Sequence, residues 1–247
     1  MRVPDDDYLW PFAGLRPFLL LFLLIALTLT LFNLYPSLDI AASRAFFDPT
    51  PCPRGQRFCI RFMRSADPTL STLRQILHVT PVVLALTLVT FVTWRIARGT
   101  PVTDKFNRAA LALVGAYALG AGVLVNLVLK VYWWRPRPLV TDLFGGWYPF
   151  VPAGGYHRDC VANCDSFVSG EAASLFWLVA LASLAPRQFR IPALAAAFAV
   201  ATFGSLLRVV FGGHYLSDAI LAGLLSLLVF VPLATLVRHL VRRAQPA

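Results

Sequence analysis

The chain has 247 residues, of which 58% are hydrophobic and 14% charged, with a formal net charge of +10. Charge that sparse, against about a quarter in soluble domains, excludes an ordinary soluble protein and points to one that crosses the bilayer several times. The cations are spread along the whole length with no basic helix or recognisable recognition fold, which excludes nucleic acid and makes anionic lipid headgroups the natural partners.

A helix needs about 20 mostly apolar residues to span a bilayer. Six segments meet or approach this: 17–35, 76–95, 109–129, 172–185, 191–210 and 219–237. The expected fold is therefore all-α, a polytopic bundle of six transmembrane helices forming one domain over 1–247. The first segment begins late and lacks a small-residue cleavage site, so it is expected to stay as an anchor. The fourth is short, and its start can extend back to Ser169.

Six spans put both termini on one side. Eleven cations lie on that side in four short segments: Arg2, Arg16, Arg95, Arg98, Lys105, Arg108, Arg187, Arg190, Arg238, Arg242 and Arg243. The other eleven, Arg54 and Arg57 among them, are spread over longer loops, where the positive-inside rule weakens. The balance places the termini inside. All four cysteines (Cys52, Cys59, Cys160, Cys164) fall in the two long loops of the opposite side. Cysteines confined to one side suggest an oxidising compartment and disulfides. A four-cysteine zinc site is the alternative, but the tight C-x2-C spacing is missing. Bridges 52–59 and 160–164 are the simplest of three possible connectivities.

Three segments carry chemistry, and the topology places them at one membrane face. The first, at the exit of the third span, is Lys130-Val-Tyr-Trp-Trp-Arg135-Pro136-Arg137-Pro138. A lysine and two arginines here can be snorkelling anchors in an aromatic belt, but each arginine is followed by a proline that stiffens the backbone. The second is Asp165-Ser166-Phe167-Val168-Ser169-Gly170-Glu171-Ala172. A helix start with a serine hydroxyl and free N–H groups is an anion site as well as an ordinary N-cap. The third runs from Arg208 through Gly212-Gly213-His214 to Asp218. His214 and Asp218 are four residues apart, which places them on one face of a helical turn. A carboxylate there can hold one ring proton and leave the other nitrogen free. Arg208 offers a planar fork for phosphate. A His/Asp/Arg set at the membrane edge points to function.

Together these segments resemble the three-part signature of the type 2 phosphatidic acid phosphatase superfamily: K-x6-R-P, then P-S-G-H, then S-R-x5-H-x3-D. Lys130 and Arg137-Pro138 match the first part. Arg208, His214 and Asp218 match the third, with Leu207 in place of the serine. The second departs, with Val168-Ser169-Gly170-Glu171 replacing the proline and the histidine. The resemblance covers roughly 126–218, and the six-span plan covers the chain. Pro36-x2-Asp39 and Phe46-Phe47-Asp48-Pro49 also look like membrane-bound members. The cysteine-flanked second segment looks most like a branch near bacterial lipid A phosphatases.

The resemblance implies that His214 attacks phosphorus and becomes a phosphohistidine while Asp218 orients it. Lys130, Arg137, Arg208, Ser169 and the Gly170 N–H would hold the phosphate oxygens. Glu171 stands where the family has its proton donor and is expected to act as the general acid, with His157 a rival in the same loop. Side-chain cations suit the charge of phosphoryl transfer, and no acidic cluster marks a metal site, so neither metal nor cofactor is expected. The expected function is a membrane lipid phosphatase acting on a lipid phosphomonoester, lipid A first, from a bacterial inner membrane with the site facing the periplasm. Undecaprenyl diphosphate, phosphatidylglycerol phosphate and phosphatidate are other substrates to weigh. A catalytically weakened lipid-phosphate-binding protein is the alternative of another class.

Overall fold

The computed structural model describes residues 8–52, 59 and 61–243. Arg2, Arg54 and Arg57, counted above for orientation, lie outside the described residues. The helices are α1 (Leu15–Leu34), α2 (Ser37–Arg44), α3 (Pro68–Ala97), α4 (Lys105–Tyr117), α5 (Lys130–Tyr132), α6 (Gly170–Leu181), α7 (Arg187–Val210) and α8 (Leu216–Arg243). A π-helical stretch, Ala118–Leu129, joins α4 and α5 into one rod over Lys105–Tyr132. Five helices are long and apolar enough to cross a membrane, and Gly170–Leu184 is a shorter apolar helix. The chain is thus an all-α membrane bundle, and each expected span has its helix.

Two helices depart usefully from the sequence reading. The second span was expected over 76–95, yet α3 starts at Pro68. Asp67 caps it, accepting from the Thr69 and Leu70 N–H groups, and Pro68 sits where a missing N–H costs nothing. The added turns carry Arg74. Helix α2, not expected at all, follows Pro36 and carries Asp39.

The short α6 forms the centre. It packs against α7 and α8 most extensively, and also against α3 and the α4–α5 rod. Ala172, Ala173, Leu175, Trp177 and Ala180 are buried along it. The indole N–H of Trp177 donates to the Leu113 carbonyl at 2.8 Å, pinning α6 to α4. Glycines set the closeness: a Cβ on Gly204 would lie 2.4 Å from Leu175, and one on Gly223 2.7 Å from Phe176. Small residues at such crossings let helices approach where lipid gives no hydrophobic drive. Helix α1 lies outside against α8, with Leu19, Leu20, Leu23 and Leu27 exposed for the acyl chains. The Arg238 guanidinium donates to the Ala13 carbonyl at 2.7 Å and fixes the termini at one end of the bundle.

The long loops and the three chemical segments gather at the other end. Disulfides join Cys52 to Cys59 and Cys160 to Cys164, both at this end. Tyr132 and Trp134 are exposed there, as interfacial aromatics are.

Candidate active site

Backbone hydrogen bonds draw the three segments together. The Arg137 N–H donates to the Asn163 carbonyl at 2.9 Å, and the Ser166 N–H to the Arg135 carbonyl at 3.1 Å. This short pairing lays the first segment along the second. The Leu139 N–H reaches the Gly212 carbonyl at 3.1 Å, joining the first segment to the third. The Ser169 N–H lies 3.4 Å from the Asp218 carbonyl, joining the second to the third.

The end of α7 is built to present Arg208 and His214. Gly212 has φ +65°, a left-handed residue of the kind that ends helices. The Gly213 and His214 N–H groups both turn back to the Arg208 carbonyl, at 3.0 and 3.2 Å. A Cβ on Gly213 would lie 2.6 Å from the Arg208 guanidinium, so a side chain there would displace that group from its place over the turn.

His214 is 2% exposed. Its Nδ1 lies 2.7 Å from the Ser166 carbonyl. A carbonyl only accepts, so Nδ1 carries the proton and Nε2 keeps its lone pair. Burial, then Arg208, Arg137 and Lys130, push the His214 pKa well below its ordinary 6.5. The ring is neutral at neutral pH, as a nucleophile must be.

The sequence reading put the Asp218 carboxylate on the imidazole. Its hydrogen bonds go elsewhere: Oδ2 accepts from the Ser166 hydroxyl at 2.6 Å and the Tyr215 N–H at 3.0 Å, and Oδ1 from Arg135 at 2.6 Å. The spacing rule assumes one helix, whereas His214 lies in the turn before α8 begins at Leu216. Asp218 therefore reaches His214 through Ser166, whose hydroxyl it holds and whose carbonyl holds the ring.

Arg135 is fully buried rather than snorkelling. Beyond Asp218 it donates to Asp39 Oδ2 at 2.8 Å, Ser217 Oγ at 2.9 Å and the Val151 carbonyl at 2.9 Å. Its guanidinium lies 4.2 Å from the Tyr215 ring centroid. Burial disfavours the charge, but Asp218 and Asp39 outweigh it and hold the Arg135 pKa above its usual value.

The phosphate-binding candidates cluster around Asp165 and Glu171, near enough to His214 to act on its charge. Arg137 pairs with Asp165 at 2.8 Å, and Lys130 stands 3.9 Å from the same carboxylate. Ser169 is the N-cap of α6, its hydroxyl accepting from the Ala172 N–H at 3.3 Å. A Cβ on Gly170 would lie 3.3 Å from Lys130 Nζ and 2.8 Å from Asn126 Oδ1, so the bare helix start is what Lys130 approaches. Arg208 is 6% exposed, and buried Nε atoms of both Arg137 and Arg208 lack a hydrogen-bond partner. Unsatisfied buried guanidinium groups suit an anion.

Glu171 is an acceptor here. Both its oxygens pair with Arg74 from α3, Oε2 at 2.9 Å from Nε and Oε1 against Nη2. Arg208 Nε lies 3.4 Å from Oε1, close enough for charge but poorly aligned for a hydrogen bond. A carboxylate in such a bidentate pair carries no proton to give. His157 stays within its loop, its Nδ1 accepting from the Asp159 N–H at 3.2 Å. Among the described residues no group of three or more His, Cys, Asp or Glu side chains is placed to hold a metal.

Sequence reasoning missed Arg74, and it quoted Asp39 and Ser166 within motifs without giving either a role. The Asp67-Pro68 helix start was a legible signal for the first, because it extends α3 to Arg74. The roles of the other two come only from what they touch.

A helical membrane bundle with a buried histidine among guanidinium groups suits phosphoryl transfer, and its family and relatives make the chain a membrane phosphoric monoester hydrolase. Residues 109–242 match the PAP2 superfamily, and the chain belongs to that family. It is 37% identical over 227 residues to a lipid A 4'-phosphatase of Rhizobium etli, covering 89% of this chain and 86% of that one. A lipid A 4'-phosphatase of Rhizobium leguminosarum is 36% identical over 227 residues, covering 88% and 95%. A third, from Francisella tularensis subsp. novicida, is 29% identical over 198 residues, covering 78% and 83%. No solved structure matches the chain.

Proposed function

We propose that this membrane phosphatase removes a phosphate monoester from lipid A at the periplasmic face of a bacterial inner membrane, through a phosphohistidine at His214. The observation that carries the reading is the His214 ring: protonated at Nδ1 by its contact with Ser166, neutral, buried, and flanked by Lys130, Arg137 and Arg208. The similarity to three lipid A 4'-phosphatases over most of their lengths supports the substrate. Two disulfides at the site's end of the bundle support an oxidising, non-cytoplasmic face.

The chemistry follows from the geometry. The acyl chains stay in the bilayer and the headgroup phosphate enters between Lys130, Arg137, Arg208 and the N-terminus of α6. His214 Nε2 attacks phosphorus, the ester P–O bond breaks, and the leaving alkoxide takes a proton. Water then attacks the phosphohistidine, releasing inorganic phosphate and restoring the ring. The side-chain cations and the α6 N–H groups stabilise the charge on the equatorial oxygens. Glu171 becomes a proton donor only after leaving Arg74. An arriving phosphate dianion favours this by drawing Arg74 and Arg208 toward its own oxygens and placing negative charge beside the carboxylate, which then takes a proton from water and passes it to the leaving oxygen.

The resting Glu171–Arg74 pair favours one other reading, a lipid-phosphate-binding protein that turns over slowly. Phosphate release from vesicles containing lipid A, undecaprenyl diphosphate, phosphatidylglycerol phosphate or phosphatidate separates the two. We expect release from lipid A to be fastest, and to persist in excess EDTA. Tight binding of lipid A without release would establish the binding protein. Loss of turnover in chelator that Mg²⁺ restores would contradict a reaction run by side-chain cations.

A further inference from the structure

Joined to His214 through the Nδ1 contact with Ser166 is a buried polar chain that neither the family motifs nor the reaction above uses in full. Asp39, Arg135, Ser166, Ser217 and Asp218 are all completely buried. Ser166 holds the ring through its carbonyl and donates its hydroxyl to Asp218. Asp218 receives Arg135 Nη1, and Asp39 receives Nη2 of the same guanidinium. Asp39 also receives the Ser217 N–H at 2.9 Å and the Ser217 hydroxyl at 2.6 Å. A continuous run of hydrogen bonds thereby leads from the short α2 to the histidine.

We infer that Asp39 and Arg135 are positioning residues for His214, acting through Asp218 and Ser166, and that α2 is the element that completes the nucleophile's support. Arg135 bridges two carboxylates, so the buried group carries one net negative charge. The attacking ring becomes cationic when Nε2 bonds to phosphorus while Nδ1 keeps its proton. A net negative cluster one hydrogen-bonded residue away opposes that charge, and removal of Asp39 would leave Arg135 and Asp218 a neutral pair. Arg135, with N–H groups directed at Asp39, Asp218, Ser217 and Val151, fixes with the Tyr215 N–H the carboxylate that fixes Ser166. These residues are completely buried, so their effect belongs in kcat and not in KM.

The inference rests on His214 being the nucleophile, and the test keeps the two apart. Purified Asp39→Asn, Ser217→Ala, Asp218→Asn, His214→Ala and the Asp39→Asn/Asp218→Asn double variant are assayed for phosphate release from lipid A vesicles, with melting temperatures measured alongside. We expect Asp39→Asn to lower kcat by at least about tenfold and Ser217→Ala by about threefold, with KM within about twofold of wild type. The double variant should turn over no more slowly than Asp218→Asn alone, because residues acting through one another are not additive. A merely structural role for Asp39 predicts losses that multiply, and that result overturns the inference. Wild-type kcat in Asp39→Asn beside an inactive His214→Ala overturns it alone. Should Asp39→Asn not fold, Ser217→Ala decides: an unchanged kcat overturns the inference and a kcat-only loss supports it. Turnover by His214→Ala would overturn the parent reading and this inference with it.

Discussion

The two sides of His214 are built on opposite plans. On one side Lys130, Arg137 and Arg208 crowd together with partners that are few or misaligned, and two guanidinium Nε atoms are left buried without a hydrogen bond. On the other side Arg135 is fully buried and its guanidinium donates to Asp218, Asp39, Ser217 and the Val151 carbonyl, with two aspartates around it. The first arrangement is costly unless an anion arrives. The second is held by the protein's own groups. A site that must bind and release phosphate keeps its charges under-satisfied, while the support for the attacking ring is finished beforehand.

Substitutions on each side should break this contrast differently. The largest loss is expected from His214→Ala: phosphate release should fall by at least about 10³-fold, since covalent catalysis disappears. Circular dichroism should show an intact helical fold. On the cationic side, Arg208→Ala should lower kcat/KM by about 10²–10³-fold, the scale of losing a donor to developing charge. Arg208→Lys should recover only part of it, because an ammonium cannot reproduce the planar fork.

Glu171 sits where the two plans meet, and Glu171→Gln sharpens the comparison. If it gives its proton to the leaving oxygen, turnover of lipid A should fall by at least about 10²-fold, while an aryl phosphate with a good leaving group should be nearly spared. Equal, small losses on both would instead leave Glu171 as an anchor for Arg74 and Arg208.

Acid should act on the structure through His214. Its pKa in the folded protein is depressed, so the folded ring refuses a proton that the unfolded chain accepts below pH 6.5. Stability is therefore complete above that pH and falls as the pH drops below it, by up to about 1.4 kcal/mol per pH unit. Melting temperature against pH should fall less steeply for His214→Ala than for wild type. The smallest effect is expected from reducing the disulfides. Cys160–Cys164 closes a loop of very few residues, so its loss should lower the melting temperature by only a few degrees, about 1–2 kcal/mol on the loop-entropy scale. It lies beside Asn163 and Asp165, which hold Arg137, so reduction should raise KM more than it lowers kcat.

The sequence spoke clearly where function depends on spacing within one segment. Lys130 and Arg137, or Arg208 and His214, are set by local backbone, and their pattern is visible without knowing what lies across the bundle. The spans were legible because apolar length is a bulk property. What stayed hidden depends on residues far apart in the chain. Arg74 and Glu171 are 97 positions apart, Asp39 and Arg135 are 96 apart, and Ser166 and His214 are 48 apart. Arg135 looked like an interfacial anchor, because nothing in its own segment announces two buried aspartates. The direct contact expected between Asp218 and His214 came from extending helical spacing across the start of α8.

The central claim is that His214 Nε2 becomes phosphorylated. Purified protein is mixed with lipid A carrying labelled phosphate, quenched in alkali within milliseconds, digested, and the peptides sequenced by mass spectrometry. The account predicts an acid-labile, alkali-stable phosphate on the peptide containing His214, absent from His214→Ala and accumulating in a variant whose dephosphorylation is slowed. Full turnover with no labelled protein at any quench time, or a label on another residue that persists in His214→Ala, would contradict it.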